Sequence, residues 1–249
     1  MRQSRWWAPT WTSFRILAGL VIVAAITTQF VNTLDLAAHE NHSMAVTSGN
    51  FFSYFTILSN LGAAVVLLWA GLWWITVGRH GDGDDPRPLA VTLACVTTYM
   101  LVTGVVYNTL LRGMPEPAGA IVPWANEIMH VVAPLVLLAD LFLGPRRRPL
   151  AWGTVIGILV FPLVWVAYTM TRGPLTYSPT TGIPPWYPYP FLYPDKVPGG
   201  ALGVSGYVVA IAILIGVFGV IVVAVGRWRG RRAARARSAL APTGRRTLV

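Results

Sequence analysis

Charge is what this 249-residue chain has least of, with Asp, Glu, Lys and Arg together making up 11%. A soluble domain carries about 25%. Too few charges are present to cover a water-facing surface, which excludes a soluble enzyme or binding domain. Cysteine is nearly absent as well. The single Cys95 rules out an intramolecular disulfide, and its apolar surroundings predict a small buried side chain. Acids number only nine and histidines four. His39, Glu40 and His42 cluster, but not as His-Glu-x-x-His and without a further ligand set. Neither a metal nor a cofactor is expected. Disorder is excluded because apolar residues reach 55%.

Those apolar residues fall into six runs, at about 14–33, 51–78, 89–111, 123–143, 150–170 and 202–226. Each has the roughly 20 residues that a helix needs to cross a bilayer core. The fold class expected is an all-α integral membrane protein, a six-transmembrane-helix bundle. The first run exceeds the ~7–15 apolar residues of a signal peptide and lacks a clear cleavage site, so it is read as a retained helix. Residues 1–13 form the N-terminal segment, 14–226 the membrane domain and 227–249 a basic tail, read as partly disordered.

Net charge is +10, and its placement matters more than its size. Sixteen of the nineteen cations fall in the N-terminal segment with Arg15 just after it, 79–88, 144–149 and the tail. The segments on the opposite side, 34–50, 112–122 and 171–201, carry only Arg112, Arg172 and Lys196. This positive-inside pattern predicts a multi-pass protein of the cell membrane with both termini cytoplasmic. The arginines of the tail are expected to meet anionic headgroups. They lack a folded reading module, so nucleic acid is not an expected partner.

The segment 171–201 holds eight prolines and six aromatics. Proline excludes a long helix, and the aromatic load argues against disorder. A stiff cap over the outer end of the bundle is expected, either as an interfacial anchor or as a lid.

Polar residues inside the apolar runs are costly and usually face the bundle interior. Ser53, Thr56 and Asn60 share one helical face near the start of the second run, with Ser59 beside it. Asn126, Glu127 and His130 share a face near the start of the fourth. Thr56 lies about 7–8 Å into its run and His130 about 10 Å into its own, at 1.5 Å per residue. Pro134 removes the hydrogen bond to the His130 carbonyl, which predicts a kink and a polar cavity beside the imidazole. A threonine hydroxyl needs a base to become a nucleophile, and a neutral histidine suits that task. Asn126 or Glu127 is placed to orient the ring. An interhelical hydrogen bond without chemistry remains the alternative at this point. Asp140 is expected to pair with Arg146–Arg148, and Tyr99, Tyr107 and Tyr168 to serve packing or the interface.

The stretches Tyr54-Phe55-Thr56-Ile57-Leu58-Ser59-Asn60 and Trp124-Ala125-Asn126-Glu127-Ile128-Met129-His130, with Pro134 after the second, resemble the androgen-induced-protein/ADTRP family of multi-span membrane hydrolases. The chain looks like one of the family's six-span bacterial relatives. Trp186-Tyr187-Pro188-Tyr189-Pro190-Phe191-Leu192 resembles the piece before that family's last helix. The resemblance spans roughly 14–226 and implies a threonine hydrolase of fatty acid esters of hydroxy fatty acids. It implies Thr56 as nucleophile and His130 as base, with Ser59, Asn60, Asn126 and Glu127 supporting them. Glu127 departs from the pattern by standing where a second histidine is expected. Such esters carry a free carboxylate, for which Arg112, one turn after Asn108, is a candidate partner. Trp186, Tyr189 and Phe191 are candidate substrate contacts. A non-enzymatic lipid binder, transporter or partner-binding membrane protein is the competing reading; a transporter predicts paired broken helices, and no such pair is evident in the sequence.

Overall fold

A computed structural model describes residues 6–81, 83–115, 117–178 and 181–240, apart from the side chains of 234 and 236–240. Arg2, Arg5, Arg245, Arg246 and the side chain of Arg237 lie outside the described residues. Six helices are long and apolar enough to cross a bilayer, and no strand is present among the described residues. They are built from α1 (Trp7–His39), α3 (Phe55–Thr76), α4 (Arg87–Val106), α5 (Pro123–Glu127) joined to α6 (Ala133–Leu143), α7 (Thr154–Arg172) and α8 (Gly200–Leu240). A short α2 (Met44–Phe51) lies between α1 and α3.

The core follows residue size. Ile22, Ala25 and Ile26 of α1 pack with Ala63, Ala64, Leu67 and Ala70 of α3. Small residues let the backbones close up, as they do where lipid supplies no hydrophobic drive between helices. Facing outward are Leu17, Val65, Leu72, Ile156, Leu202 and Ile213, all exposed. An apolar exterior over closed internal hydrogen bonding is what hydrocarbon requires. The chain is a multi-span membrane protein.

Three boundaries differ from the sequence reading. The first helix starts seven residues earlier and runs to His39. The expected helix from 51 is interrupted: the Ser53 and Tyr54 amides donate to the Asn50 and Phe51 carbonyls, three residues back, at 3.0 and 3.4 Å, and Tyr54 is extended, with φ −68° and ψ 128°. Residues 44–51 therefore form a helix of their own within the expected loop 34–50, capped by Ser43, whose side chain accepts from the Val46 amide. The tail is helical through Leu240, since nothing between Arg227 and Leu240 breaks α8; residues 241–249 lie outside the described ones.

At the end of the bundle that carries the arginines, Asp140 is wholly buried. It accepts from Trp11 Nε1 at 2.6 Å, Arg15 Nε at 2.6 Å, Arg15 Nη2 at 3.1 Å and Arg147 Nη2 at 2.7 Å. The expected partner among Arg146–Arg148 is thus Arg147, but Arg15 is the second. Arg15, read from sequence as part of the topology signal, is buried inside the bundle. Nearby, the Asp85 amide donates to the Arg146 carbonyl at 2.8 Å and Arg148 Nε donates to the Asp85 carbonyl at 2.7 Å.

The Asp85 side chain is buried with Oδ2 unpartnered. Burial pushes its carboxyl from 3.8 up to about 6, against the pull of Arg15 and Arg147. The folded state therefore holds this proton more tightly than the unfolded chain. Stability falls as pH rises from about 4 to about 6 and then levels. Asp85→Asn removes the cost of ionisation, so thermal unfolding in detergent should show a gain of about 3 kcal/mol at pH 8 and none at pH 3.5.

Candidate functional site

Thr56 is the second residue of α3, where the backbone N–H groups of the first turn have no partner within the helix. No side chain caps this start. The phenol of Tyr189 fills the role from across the bundle, accepting from the Thr56 amide at 3.1 Å and lying 3.2 Å from Thr56 Oγ1. Burial pushes that phenol upward, so it stays protonated. With its oxygen already accepting from the amide, its own proton is available to Thr56 Oγ1, which frees the threonine proton for another acceptor.

Tyr189 reaches Thr56 because the segment 171–201 is docked as a cap. Trp186 donates its amide to the Gly173 carbonyl at 3.0 Å, and the Tyr187 amide donates to the Tyr193 hydroxyl at 3.0 Å. Tyr187 occupies the space that a Cβ on Gly173 would need. Tyr189 stacks on Phe191 at 5.2 Å and meets Tyr54 edge-on at 5.6 Å. The aromatic cap expected from composition is therefore present, and it delivers a hydroxyl to the candidate nucleophile.

His130 sits in a π-turn, Ile128–Val132, between α5 and α6. Pro134 frees the His130 carbonyl, and Asn108 takes it: Nδ2 donates to the oxygens of Gly104 at 2.7 Å and His130 at 3.2 Å. Gly104 allows this approach, since a Cβ there would stand 3.0 Å from Pro134. Asn108 itself lies in a second π-turn, Tyr107–Leu111. Such turns are frequent at functional sites. His130 Nδ1 is 3.0 Å from the Asn126 carbonyl oxygen, which can only accept. That contact assigns the proton to Nδ1 and the lone pair to Nε2. Tyr107 stacks on the imidazole at 3.7 Å, while its hydroxyl accepts from Asn126 Nδ2 at 2.6 Å.

Asn60 ties the two helices together, donating from Nδ2 to the carbonyls of Thr56 at 2.9 Å and Met129 at 3.1 Å. Ser59 donates to the Thr56 carbonyl at 3.1 Å and lies 3.0 Å from the Thr103 hydroxyl. Thr56 and His130 line one cavity of about 380 Å³, together with Gln29, Thr47, Asn50, Asn126, Trp186 and Tyr189. Thr56 and Tyr189 also line a second, apolar cavity of about 80 Å³, walled by Val106, Phe191, Leu159, Pro162 and Ile211. Thr56 stands at the boundary between the two.

Several sequence expectations are corrected here. Glu127 does not hold the imidazole; its carboxylate is paired with Arg112, at 2.8 Å to Nη1 and 3.0 Å to Nη2. The backbone of Asn126 orients the ring instead. Arg112 has no free edge for a substrate carboxylate, because Nε donates to Asn108 Oδ1 at 2.8 Å and Glu127 takes the fork. Asn108 is a scaffold for His130 rather than a substrate contact, its amide being spent on both sides. Trp186 faces the larger cavity, Phe191 the smaller, and Tyr189 both. The Thr56-to-Tyr189 contact was not legible from spacing, since 133 residues separate them. Tyr107, read as packing, is a neighbour of His130. Among the described residues, no group of three or more His, Cys, Asp or Glu side chains converges as metal ligands. Comparison of the chain with family models, curated proteins and solved structures returns no match, so the family resemblance rests on its short motifs alone.

Proposed function

We propose that this protein is an integral membrane hydrolase of lipid esters, with Thr56 as nucleophile and His130 as general base. The observation that carries the reading is the position of Thr56. It sits at a helix N-terminus, hydrogen-bonded by Tyr189 and lining the same cavity as His130, where a space of mixed polar and apolar lining meets a more apolar one. An ester bond placed at that boundary has the first carbons of its acyl chain in the small apolar cavity and its alcohol in the larger, mixed one.

Thr56 Oγ attacks the carbonyl carbon and gives its proton to His130 Nε2. The tetrahedral oxyanion is met by the Tyr189 O–H and by the positive end of α3. His130 returns the proton to the leaving alkoxide, and the alcohol departs. Water then attacks the acyl-Thr56 ester, again deprotonated by His130, releasing the fatty acid and restoring Thr56. The stacked Tyr107 and the Asn126 carbonyl keep the ring in one tautomer throughout, as the third member of a triad does.

Tyr189→Phe removes one donor to the oxyanion and is expected to lower kcat by ~10²-fold with little change in KM. Stopped assays of fatty acid release in detergent micelles test this. Loss of turnover in Thr56→Ala and His130→Ala, with wild-type protein active, tests the reading as a whole; equal turnover in all three overturns it. A non-enzymatic lipid binder uses the same cavities and differs by showing no turnover at all.

We further infer from the positive-inside bias that the arginine-bearing end faces the cytoplasm of a cell membrane, which opens the Thr56 cavity to the outer half. Arg231, Arg232 and Arg235 would then meet anionic headgroups.

A further inference from the structure

The larger cavity is lined not only by Thr56 and His130 but also by Gln29 and Thr33 of α1 and by Thr47 and Asn50 of α2. Among the described residues its lining includes no Lys, Arg, Asp or Glu. None of the three cations of this half of the molecule lines it, although Arg172 contacts two lining residues, Asn50 and Trp186. Arg112 is held by Glu127, Arg172 donates to Asn50 Oδ1 at 2.9 Å and covers the Trp186 ring, and Lys196 lies 4.2 Å over Tyr193. A carboxylate brought here would lose its hydration without a charged lining side chain to pair with directly, a costly burial.

Hydroxyl groups meet a different reception. Thr47 is buried, lines the cavity and has no hydrogen-bond partner for Oγ1. Buried polar groups are normally satisfied, and an exception needs a cause. Asn50 is also buried, and Arg172 fixes its amide with Oδ1 turned to the guanidinium. Its Nδ2 makes only a long 3.4 Å contact to the Tyr177 carbonyl. The Thr33 hydroxyl donates to the Gln29 carbonyl at 2.8 Å and accepts a long 3.4 Å contact from Gln29 Nε2, which leaves its oxygen one lone pair. These are donors and acceptors without charge, set in a space more than twice the ~150 Å³ that holds benzene in an engineered cavity.

We propose that the alcohol part of the substrate is an uncharged polyol, so that the preferred esters are monoacylglycerol-like. The glyceryl hydroxyls bind Thr47, Asn50 and Thr33 while only the first carbons of the acyl chain enter the small apolar cavity beside Thr56. This deepens the hydrolase reading and rests on it for the chemistry, which is transfer of the acyl group from glycerol to water through Thr56. It departs from the acid-bearing esters that the motif resemblance implies.

Three oleoyl esters separate the outcomes: 1-monooleoylglycerol, methyl oleate and the oleate ester of 12-hydroxystearic acid. Wild-type kcat/KM is expected to be at least tenfold higher for the glyceryl ester than for the acidic one. Thr47→Val keeps shape and removes only a hydroxyl without a partner, so the fold should survive. It is expected to lower the glyceryl-to-methyl ratio of kcat/KM about tenfold. Equal or faster hydrolysis of the acidic ester, or an unchanged ratio in Thr47→Val, overturns the proposal. A second measurement does not depend on turnover: 1-O-octadecylglycerol, an uncleavable ether, is titrated against wild type, Thr47→Val and Thr56→Ala. Tighter binding than stearic acid, weakened by Thr47→Val and kept by Thr56→Ala, supports the polyol site even if no ester is cleaved. Tighter binding of the acid, or no ether binding, removes it.

Discussion

Thr56→Ala is expected to abolish the proposed ester hydrolysis, with kcat/KM falling ~10³-fold or more, while the protein should keep its melting temperature to within a few degrees. The size of the loss follows from the proposed role: without Oγ there would be no atom to form the acyl intermediate, and water alone would have to attack. The survival of the fold follows from the local bonding. The Oγ1 contact is to Tyr189, which remains anchored by the Thr56 amide at 3.1 Å. The Thr56 carbonyl keeps its bonds from Ser59 and Asn60. Alanine is also a good helix residue in this first turn. Thr56→Ser should keep most of the activity. His130→Ala should fall to a similar floor, and the double variant should fall little further, because groups that act as one unit are not additive. Purified variants compared by initial rate and by thermal unfolding give both readouts.

Asp140→Ala acts at the opposite end of the bundle and strikes stability instead. Asp140 balances Arg15 and Arg147, and Arg15 is as deeply buried as its partner. Removing the carboxylate leaves a guanidinium in the interior without a counter-charge. Breaking a buried pair in this way costs about 3–5 kcal/mol, comparable to the total stability of many domains. The variant should be recovered in low yield and aggregate on extraction. Asp140→Leu combined with Arg15→Met should recover much of the loss, since an apolar pair of similar volume avoids desolvation. Size-exclusion profiles in detergent and thermal unfolding distinguish these outcomes.

Much of the architecture is legible in the sequence because hydropathy and bilayer thickness leave few alternatives. All six spans are found where apolar runs occur, and 123–143 matches to the residue. The break between α2 and α3 was hidden, because Phe51–Phe55 is apolar enough to continue a helix. Only the tightened backbone turn at Ser53 and the extended Tyr54 reveal it. Pro134 correctly signalled an altered helix beside His130, but the freed carbonyl proved to be taken by Asn108. Pro162 does the same in α7, where the Ile158 carbonyl accepts from the Tyr99 hydroxyl at 2.8 Å. Within the site, Thr56 and His130 were readable as polar residues on interior faces. The partners that organise them were not. Tyr189 comes from a proline-rich loop whose path no periodicity describes, and Tyr107 looks like any tyrosine near a membrane surface. Glu127 and Arg112 misled for a related reason: each has a suitable partner in sequence, but in space they choose each other.

The most direct test of the central claim is covalent. Purified protein treated with a long-chain fluorophosphonate, then digested and analysed by mass spectrometry, should carry one phosphonate on the hydroxyl of Thr56. Labelling should slow in His130→Ala and vanish in Thr56→Ala. A label on Ser53 or Ser59, a label that persists in Thr56→Ala, or no label on protein that hydrolyses esters would contradict Thr56 as the nucleophile.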